Sequence, residues 1–534
     1  MATEPSPQRG YRAACPNCGA PVEFRSAASA FAVCSFCRST VVRDGDALRR
    51  IGQSAELFDD HTPLQLGASG SYLGQPFTLI GRQQFGTEQG SWNEWHSLFD
   101  LGADGAAPRV AWLSEDNGRY VMAFDAPLPG PLPALGSLTA GRQLEIGGQI
   151  WSVASIVRAK LLAAEGELPA PPAAEFTVAD FRNPQGEVAT LDDGDPQQPR
   201  WSLGRSVALS ELAMRGLAEA SEKTLKARTV ECPNCGTSLQ VKLESSQSIV
   251  CSNCKAVVDI SAGVGGDLQH YVQTNSPHGA LPLIPLGSSG SFRFDSATLV
   301  PWQVVGYAER FELPDDPDDE RVFWREYLLY NRSAGFTFLV DSEEGWSWVA
   351  PITGVPQAAG SGAVRYRDVA YRKQYDEYRA QVSYVLGEFY WRVERDQQTL
   401  NTDYIGTGSA ASKRLNREQS AGGTAQEIVW SAGETLAASA VLKAFGLPGA
   451  MQAAIKRDAA PVSLNPSGLL AKAFLVLFLI AVLFALFRCD GDDDCNSLRA
   501  SYGESSNEYK NCLVGRSRTG GGAFGGFSSG GFHK

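Results

Sequence analysis

Only five histidines and four methionines occur in 534 residues. No histidine stands at a catalytic metal spacing from a glutamate or cysteine, and H-E-x-x-H, G-x-S-x-G and G-x-x-x-x-G-K-[ST] are all missing. These absences remove the commoner metalloprotease, serine-hydrolase and P-loop readings. A basic excess is missing too: the formal charge is −12, which argues against broad electrostatic adhesion to nucleic acid. The first cysteine-rich segment sets Arg12, Arg25, Arg38 and Arg43 against Glu23. The second sets Lys226, Arg228, Lys242 and Lys255 against Glu231, Glu244 and Asp259. Neither is a dense phosphate-binding stripe. Residues 1–10 hold no apolar run, so a cleaved signal peptide is not expected.

What the chain does have is one cysteine pattern written twice. Cys15, Cys18, Cys34 and Cys37 form a C-x2-C-x15-C-x2-C tetrad, and Cys232, Cys235, Cys251 and Cys254 repeat it 217 residues later. Four thiolates at this spacing close a tetrahedral shell around one Zn²⁺, so two structural zinc ions are expected. The alternative is two disulfide pairs or a redox C-x-x-C, which needs one reactive pair rather than two spaced tetrads. Gly19 and Gly236 follow the first knuckle of each tetrad, where a turn requires positive φ. Reduced, metal-loaded thiolates place the N-terminal bulk in the cytoplasm.

Residues 469–487, LLAKAFLVLFLIAVLFALF, are interrupted only by Lys472. At about 1.5 Å per residue this run nearly spans a hydrocarbon core of about 30 Å, so a single transmembrane helix is expected. Lys456, Arg457 and Lys472 on one side agree modestly with an inside N-terminus. The tail, 488–534, would then be extracytoplasmic. There Cys495 and Cys512 are a candidate disulfide, and Cys489 at the membrane edge is acylated or free. The end of the tail, rich in Gly and Ser with Phe524, Phe527 and Phe532, cannot bury a core and is expected to be disordered.

The duplication extends well past the cysteines. Leu66-Gly67-Ala68-Ser69-Gly70-Ser71 answers Leu286-Gly287-Ser288-Ser289-Gly290-Ser291, and Trp95-His96-Ser97-Leu98 answers Trp324-Arg325-Glu326-Tyr327. Gly166-Glu167-Leu168 answers Gly387-Glu388-Phe389, Asp180-Phe181 answers Asp403-Tyr404, and Trp201-Ser202-Leu203-Gly204 answers Trp430-Ser431-Ala432-Gly433. Within each unit, aromatic and β-branched residues alternate between Gly and Asn turns, which predicts short antiparallel strands in a small barrel or sandwich. Helical stretches are expected near Val207–Ala227 and Glu434–Lys456. The expected order is a zinc ribbon over 11–45, a β-domain over 57–205 and a helical linker over 206–228. A second ribbon over 229–262, a second β-domain over 275–437 and a linker over 438–466 follow, then the membrane helix and tail. The fold class is mainly β.

With these residues in hand, the chain resembles bacterial proteins carrying the domain of unknown function 4178. The likeness rests on the L-G-x-S-G starts, the strand Trp324-Arg325-Glu326-Tyr327, the run Gly387-Glu388-Phe389-Tyr390-Trp391 and the Trp430-Ser431-x-Gly433 close. The Asp-rich cysteine pair and final Gly-Phe-His-Lys look like that family's membrane-anchored members. The resemblance implies a bacterial inner-membrane protein, linked by genomic context to polyamine synthesis and membrane stress, with no catalytic residues to carry over. His96-Ser97-Leu98 and Pro169-Ala170 depart from the pattern, so a shared site is expected in 280–437. Candidate binding residues there are Trp324, Glu326, Tyr327, Glu388 and Asp403. The tryptophans are more simply core than a stacking platform. Three functions remain: an adaptor docking membrane-associated proteins at the cytoplasmic face, a zinc-ribbon nucleic-acid binder, and an enzyme acting through Glu388 and Asp403. The third needs a pocket between those carboxylates. The adaptor is the expectation.

Overall fold

The structure is a computed structural model that describes residues 11–455 apart from short internal stretches, the longest being 54–61, 100–108, 219–227 and 274–281. The expected membrane helix 469–487, the tail with Cys489, Cys495 and Cys512, and the acidic turn 315–320 lie outside the described residues. Among the described residues no helix is long and apolar enough to cross a membrane.

Two eight-stranded antiparallel barrels dominate the molecule. The first uses β1 (Gln75–Gly86), β2 (Ser91–Phe99), β3 (Val110–Asp116), β4 (Arg119–Ala126), β5 (Gln149–Leu168), β6 (Glu175–Arg182), β7 (Glu187–Asp192) and β8 (Arg200–Val207). Two four-stranded meanders, β1 to β4 and β5 to β8, close on each other twice, through β4–β8 and through β5–β1. The second barrel repeats this with β9 (Val300–Glu312), β10 (Phe323–Asn331), β11 (Gly335–Ser342), β12 (Gly345–Ile352), β13 (Tyr378–Phe389), β14 (Gln398–Gly406), β15 (Lys413–Ala421) and β16 (Gln426–Leu436). Its closures are β12–β16 and β13–β9. Closure leaves the eight strands of each barrel without a free edge, which suits a chain this rich in strands. The barrels touch through two ladder pairs between β5 and β16, Ser155↔Glu427 and Ile156↔Gln426.

The period of two along each strand sends alternate residues inward and outward. Both faces are buried. In the second barrel, the outward Trp302, Val304, Tyr327, Leu329, Leu339 and Trp346 pack beneath Ile284, Phe292 and the helix Ala438–Phe445. The inward Trp324, Leu328, Phe338 and Val340 meet Tyr390 and Trp391, which plug one end. The first barrel hides its outer face under Leu64, Ala68 and Leu212.

The closing helices are shorter than expected. Residues 434–436 belong to β16, where Glu434 pairs with Lys413 and Trp348; the helix starts only at Ala438 and ends at Phe445, capped by Gly446, with a short turn of helix at Gln452–Ile455. Ladder pairing outweighs the helical propensity of that stretch. In the first unit, residues 208–218 form turns around a Ser69–Arg215 bridge, and the rest of the expected linker lies outside the described residues.

Each cysteine module is built into a barrel wall rather than hung from it. Strand Phe31–Val33 pairs with the end of β5, and Ser248–Val250 with the end of β13. The junction is set by glycines. Gly166 pairs with Gly81 across the β5–β1 closure, and Gly387 with Gly306 across β13–β9. A Cβ on Gly387, at φ 87°, would lie 2.2 Å from the Val305 carbonyl oxygen; one on Gly166, at φ 70°, would lie 2.3 Å from that of Ile80. Only glycine permits this approach. Gly387→Ala should therefore cost about 3 kcal/mol of stability, from the left-handed φ and the clash together. Gly408→Ala, at φ 60° with nothing near its Cβ, should cost about 1 kcal/mol. Denaturant titration of both variants checks the difference; equal losses would contradict the closure argument.

Candidate metal centres and the polar barrel interior

Each cysteine tetrad is assembled by two short hairpins whose knuckles face each other. In the first, Tyr11–Ala14 pairs with Pro21–Phe24 and Phe31–Val33 with Ser39–Asp44; in the second, Arg228–Glu231 pairs with Ser238–Val241 and Ser248–Val250 with Ala256–Asp259. Every knuckle turns through a left-handed residue: Gly19 at φ 74°, Arg38 at 58°, Gly236 at 72° and Lys255 at 60°. Their N–H groups donate to the carbonyls of Cys15, Cys34, Cys232 and Cys251. The glycines were legible in the sequence. Arg38 and Lys255 were not, because nothing in their type signals positive φ.

The sulfurs converge. Cys15 Sγ lies 3.6 Å from Cys37 Sγ and Cys18 Sγ 3.7 Å from Cys34 Sγ; the second tetrad gives 3.6 Å for Cys232–Cys254 and 3.7 Å for Cys235–Cys251. Within each tetrad the four sulfurs lie inside 4.8 Å of one another. These separations are too long for disulfides, at about 2.05 Å, and match the edge of about 3.8 Å of a tetrahedron with bonds of about 2.3 Å. Thiols this crowded cannot ionise together without a cation. The Ser39 hydroxyl pulls Cys37 down to about 5, and Thr237 pulls Cys235 down to about 6. Cys18, despite a backbone hydrogen bond at Ala20 favouring its thiolate, is pushed up to about 12 by neighbouring thiols, Cys37 first. Burial pushes Cys232 up to about 12 as well. Both four-cysteine groups are therefore able to hold a metal ion.

Glu388 belongs to the second module's attachment. Its carboxylate accepts from the Lys242 N–H at 3.0 Å and from Ser246 Oγ at 2.7 Å, fixing the module's loop to the end of β13. Asp403 lies far from it. It accepts from Tyr378 Oη at 2.7 Å and Asn416 Nδ2 at 2.8 Å, fully buried between β13, β14 and β15. Tyr378 and Glu388 are ten residues apart on β13, roughly 30 Å of extended strand. The two carboxylates therefore share no pocket, and the paired acid–base arrangement is not formed. Asp180, the counterpart of Asp403, accepts from Ser155 Oγ and Thr190 Oγ1, both at 3.0 Å. Each aspartate ties neighbouring wall strands together.

Trp324, Glu326 and Tyr327 divide between the two faces of β10. Tyr327 points outward and accepts the Leu283 N–H at 3.1 Å. Trp324 and Glu326 point into the barrel, where Trp324 Nε1 donates to Glu326 Oε1 at 2.8 Å. There they meet Arg310, on β9. Its Nη1 lies 3.3 Å from Glu326 Oε1 and 3.4 Å from Glu418 Oε2, and its Nη2 donates to Thr399 Oγ1. Arg310 is 1% exposed, and both glutamates are buried. Burial of Glu418, set against the attraction of Arg310, pushes its carboxyl up to about 7. One guanidinium thus sits between two carboxylates that a dry interior cannot keep fully charged. Sequence reading missed Arg310 and Glu418, since single charged residues in strands carry no spacing signal.

The ladder also corrects the alignment of the two units. Gly81 pairs with His96 as Gly306 pairs with Leu328, and Phe85 with Trp92 as Arg310 with Trp324. The counterpart of Trp324-Arg325-Glu326-Tyr327 is therefore Trp92-Asn93-Glu94-Trp95, three residues before the match read from the sequence. Trp92 Nε1 donates to Glu94 Oε1 at 3.0 Å, just as Trp324 does to Glu326. The Trp-x-Glu-aromatic device is thus common to both barrels. His96 is a buried residue 3.0 Å from the Glu167 carbonyl, its pKa lowered by burial. At the place of Arg310 the first barrel has Phe85, packed on Trp92 and Phe176.

The family model described as "Domain of unknown function (DUF4178)" matches residues 65–209 and 296–438, one copy per barrel and together more than half of the chain. No curated protein matches the chain. Among solved structures, a protein of unknown function from the DUF3598 family of Nostoc punctiforme shares 8% identity over 70% of this chain and 96% of its own, with a TM-score of 0.11. That score carries no argument about fold or role.

The buried cluster sets a pH dependence. A carboxyl raised to about 7 binds its proton more tightly in the fold than in the unfolded chain. The associated stability is full below the ordinary glutamate range and is lost as pH rises through 7. Wild-type stability should fall between pH 5 and pH 8 by up to about 3 kcal/mol more than that of Glu418→Gln. Parallel denaturation series at the two pH values read it, and identical slopes would refute the assignment. Arg310→Met, which leaves both glutamates without their cation, should cost about 3–5 kcal/mol at pH 8 and less at pH 5.

Proposed function

We propose that this chain, which belongs to the DUF4178 family, is a membrane-tethered adaptor in which two zinc-stapled barrels form a rigid docking platform at the cytoplasmic face. The observation that carries the reading is the use made of the acidic positions that recur in the two units. Glu388, Asp180 and Asp403 are spent on holding modules and strands in place, which favours a scaffold over acid–base chemistry. The apolar run Leu469–Phe487 supplies the tether in this reading. Zinc is the proposed ion because an all-thiolate tetrahedron with edges of 3.6–3.7 Å suits it best among common cellular metals. Its part is structural: each ion fixes a module too small to fold on a core of its own, and the module in turn lengthens a barrel wall.

Full-length protein purified from membranes should hold about two zinc ions per chain, and Cys15→Ser or Cys232→Ser should each remove about one. Iron in their place, or metal-free protein with unchanged melting, would overturn the structural half. For the docking half, cross-linking in native membranes should recover one defined membrane-associated protein, and deletion of residues 469–487 should abolish that recovery. Recovery of nothing specific would sink the adaptor.

A further inference from the structure

We infer that the first barrel carries a binding site for an aromatic side chain presented by a partner polypeptide, and that the second barrel fills the equivalent site with its own Phe294. The site is a pocket of about 320 Å³ on the outer face of the first barrel, at the seam between two covering segments. Tyr72, Phe124, Trp151 and Trp201 form its aromatic walls, with Met122 in the floor and Leu203 at the edge. Gln149 and the Glu187–Arg205 ion pair supply the polar margin.

The internal duplication says what such a pocket takes. Ladder register places Met122 where the second barrel has Trp348, since Ala123 pairs with Gly204 as Val349 pairs with Gly433. Tyr72 likewise corresponds to Phe292, one at the end of each first hairpin. In the first unit that hairpin turns through two residues, Leu73 and Gly74, at φ 50° and 80°. In the second, seven residues separate the paired Phe292 and Val300, and Phe294 among them stacks on Trp348 at 5.0 Å and 22° and on Phe292 at 4.5 Å and 13°. The second barrel thus seals its seam with an aromatic ring from its own chain. The first has Met122 in place of that tryptophan and sets Phe124 against Tyr72 at 6.1 Å where the second has Ala350, and beside these rings the pocket stays open between aromatic faces that suit a further aromatic ring.

The rim identifies the carrier. Leu203, in the lining, is 39% exposed, and Leu73 and Leu128, each next in sequence to a lining residue, are 86% and 46% exposed. A free small aromatic would fill the pocket and leave this aliphatic rim wet, whereas a polypeptide bearing the ring would cover it. That the carrier is a polypeptide rests on the docking reading above; that the pocket takes an aromatic ring does not.

The test titrates full-length protein in detergent with the peptide Gly-Ser-Trp-Gly-Ser amide, its leucine analogue and free indole, read by calorimetry. The tryptophan peptide should bind at one site, at least tenfold tighter than the leucine peptide and tighter than indole. Leu203→Glu, at an exposed edge, should weaken it at least tenfold. Phe294→Ala should raise the stoichiometry from one to two. A leucine peptide that binds equally well, or Leu203→Glu that binds like wild type, would overturn the site. Indole binding as tightly as the peptide would overturn the polypeptide assignment. Because the titration uses purified protein, failure to capture a partner from membranes leaves a distinct signature from failure of this pocket.

Discussion

Everything else in this molecule hangs on the place where the fifth strand of each barrel crosses the first with two glycines back to back. At Gly166/Gly81 and Gly387/Gly306 the strands approach so closely that a single Cβ would strike a carbonyl oxygen. That contact closes the barrel on one side. It also lets the same strand run on past the closure and pair with a strand of the cysteine module, at Glu167↔Ala32 and Glu388↔Ile249. The Gly-Glu dipeptide therefore does two jobs in sequence order, the glycine closing the wall and the glutamate's position starting the module's ladder. In the second unit the carboxylate of Glu388 adds three hydrogen-bond contacts to the module's loop. A metal held by the tetrad would be coupled mechanically to barrel closure through a few residues of one strand.

On this common frame the two units have diverged by local exchange. Glu187 and Arg205 face each other across one ladder position of the first barrel; the same position in the second carries Lys413 and Glu434, with the charges reversed. A cross-strand ion pair is indifferent to which strand bears which sign, so the swap leaves the contact intact. The interior shows a costlier exchange. Phe85 in one barrel is Arg310 in the other, and Glu418 stands in the second where the first has Asp192 paired at 3.2 Å with Arg200. A buried Arg between two glutamates seldom stabilises more than well-packed apolar side chains would. The apolar solution is present in this same chain, at Phe85, which makes the first barrel an internal control for the second.

The large-scale organisation was legible because duplication is visible without any structure: two tetrads in register, two Gly-Glu dipeptides, two tryptophan closes. Strand content followed from alternation. Register did not. Trp92 and Trp95 lie on opposite faces of one strand, and the sequence offers no means of choosing between them; only the ladder pair Phe85↔Trp92 decides. The closing helix was overextended because Glu434, Thr435 and Leu436 have no strand signature apart from the partners Lys413 and Trp348 far away in sequence. Arg310 and Glu418 stayed hidden for the same reason. Their meaning lies in crossing the barrel from β9 to β15, a distance of more than a hundred residues along the chain.

The placement of binding on the outer face, and on one barrel, follows from how space is used elsewhere. The second interior is stopped by Phe389, Tyr390 and Trp391 packed against Val250 and Val257 of its cysteine module. The first interior leaves about 40 Å³ between Trp112, Phe176 and Thr190, room for one or two water molecules. Between the barrels, beside Ser155 and Glu427, the gap is about 20 Å³. Closed barrels of this size fill themselves with their own side chains and have little to offer a ligand inside. What they can offer is a seam where covering segments fail to meet. In the second barrel Phe294 covers Trp348 at the seam, while the two-residue turn at Leu73-Gly74 offers the first no such ring. In the proposed reading, duplication followed by exchanges at the seam, Met122 against Trp348 and Phe124 against Ala350, is enough to make a recognition site on a shared barrel frame.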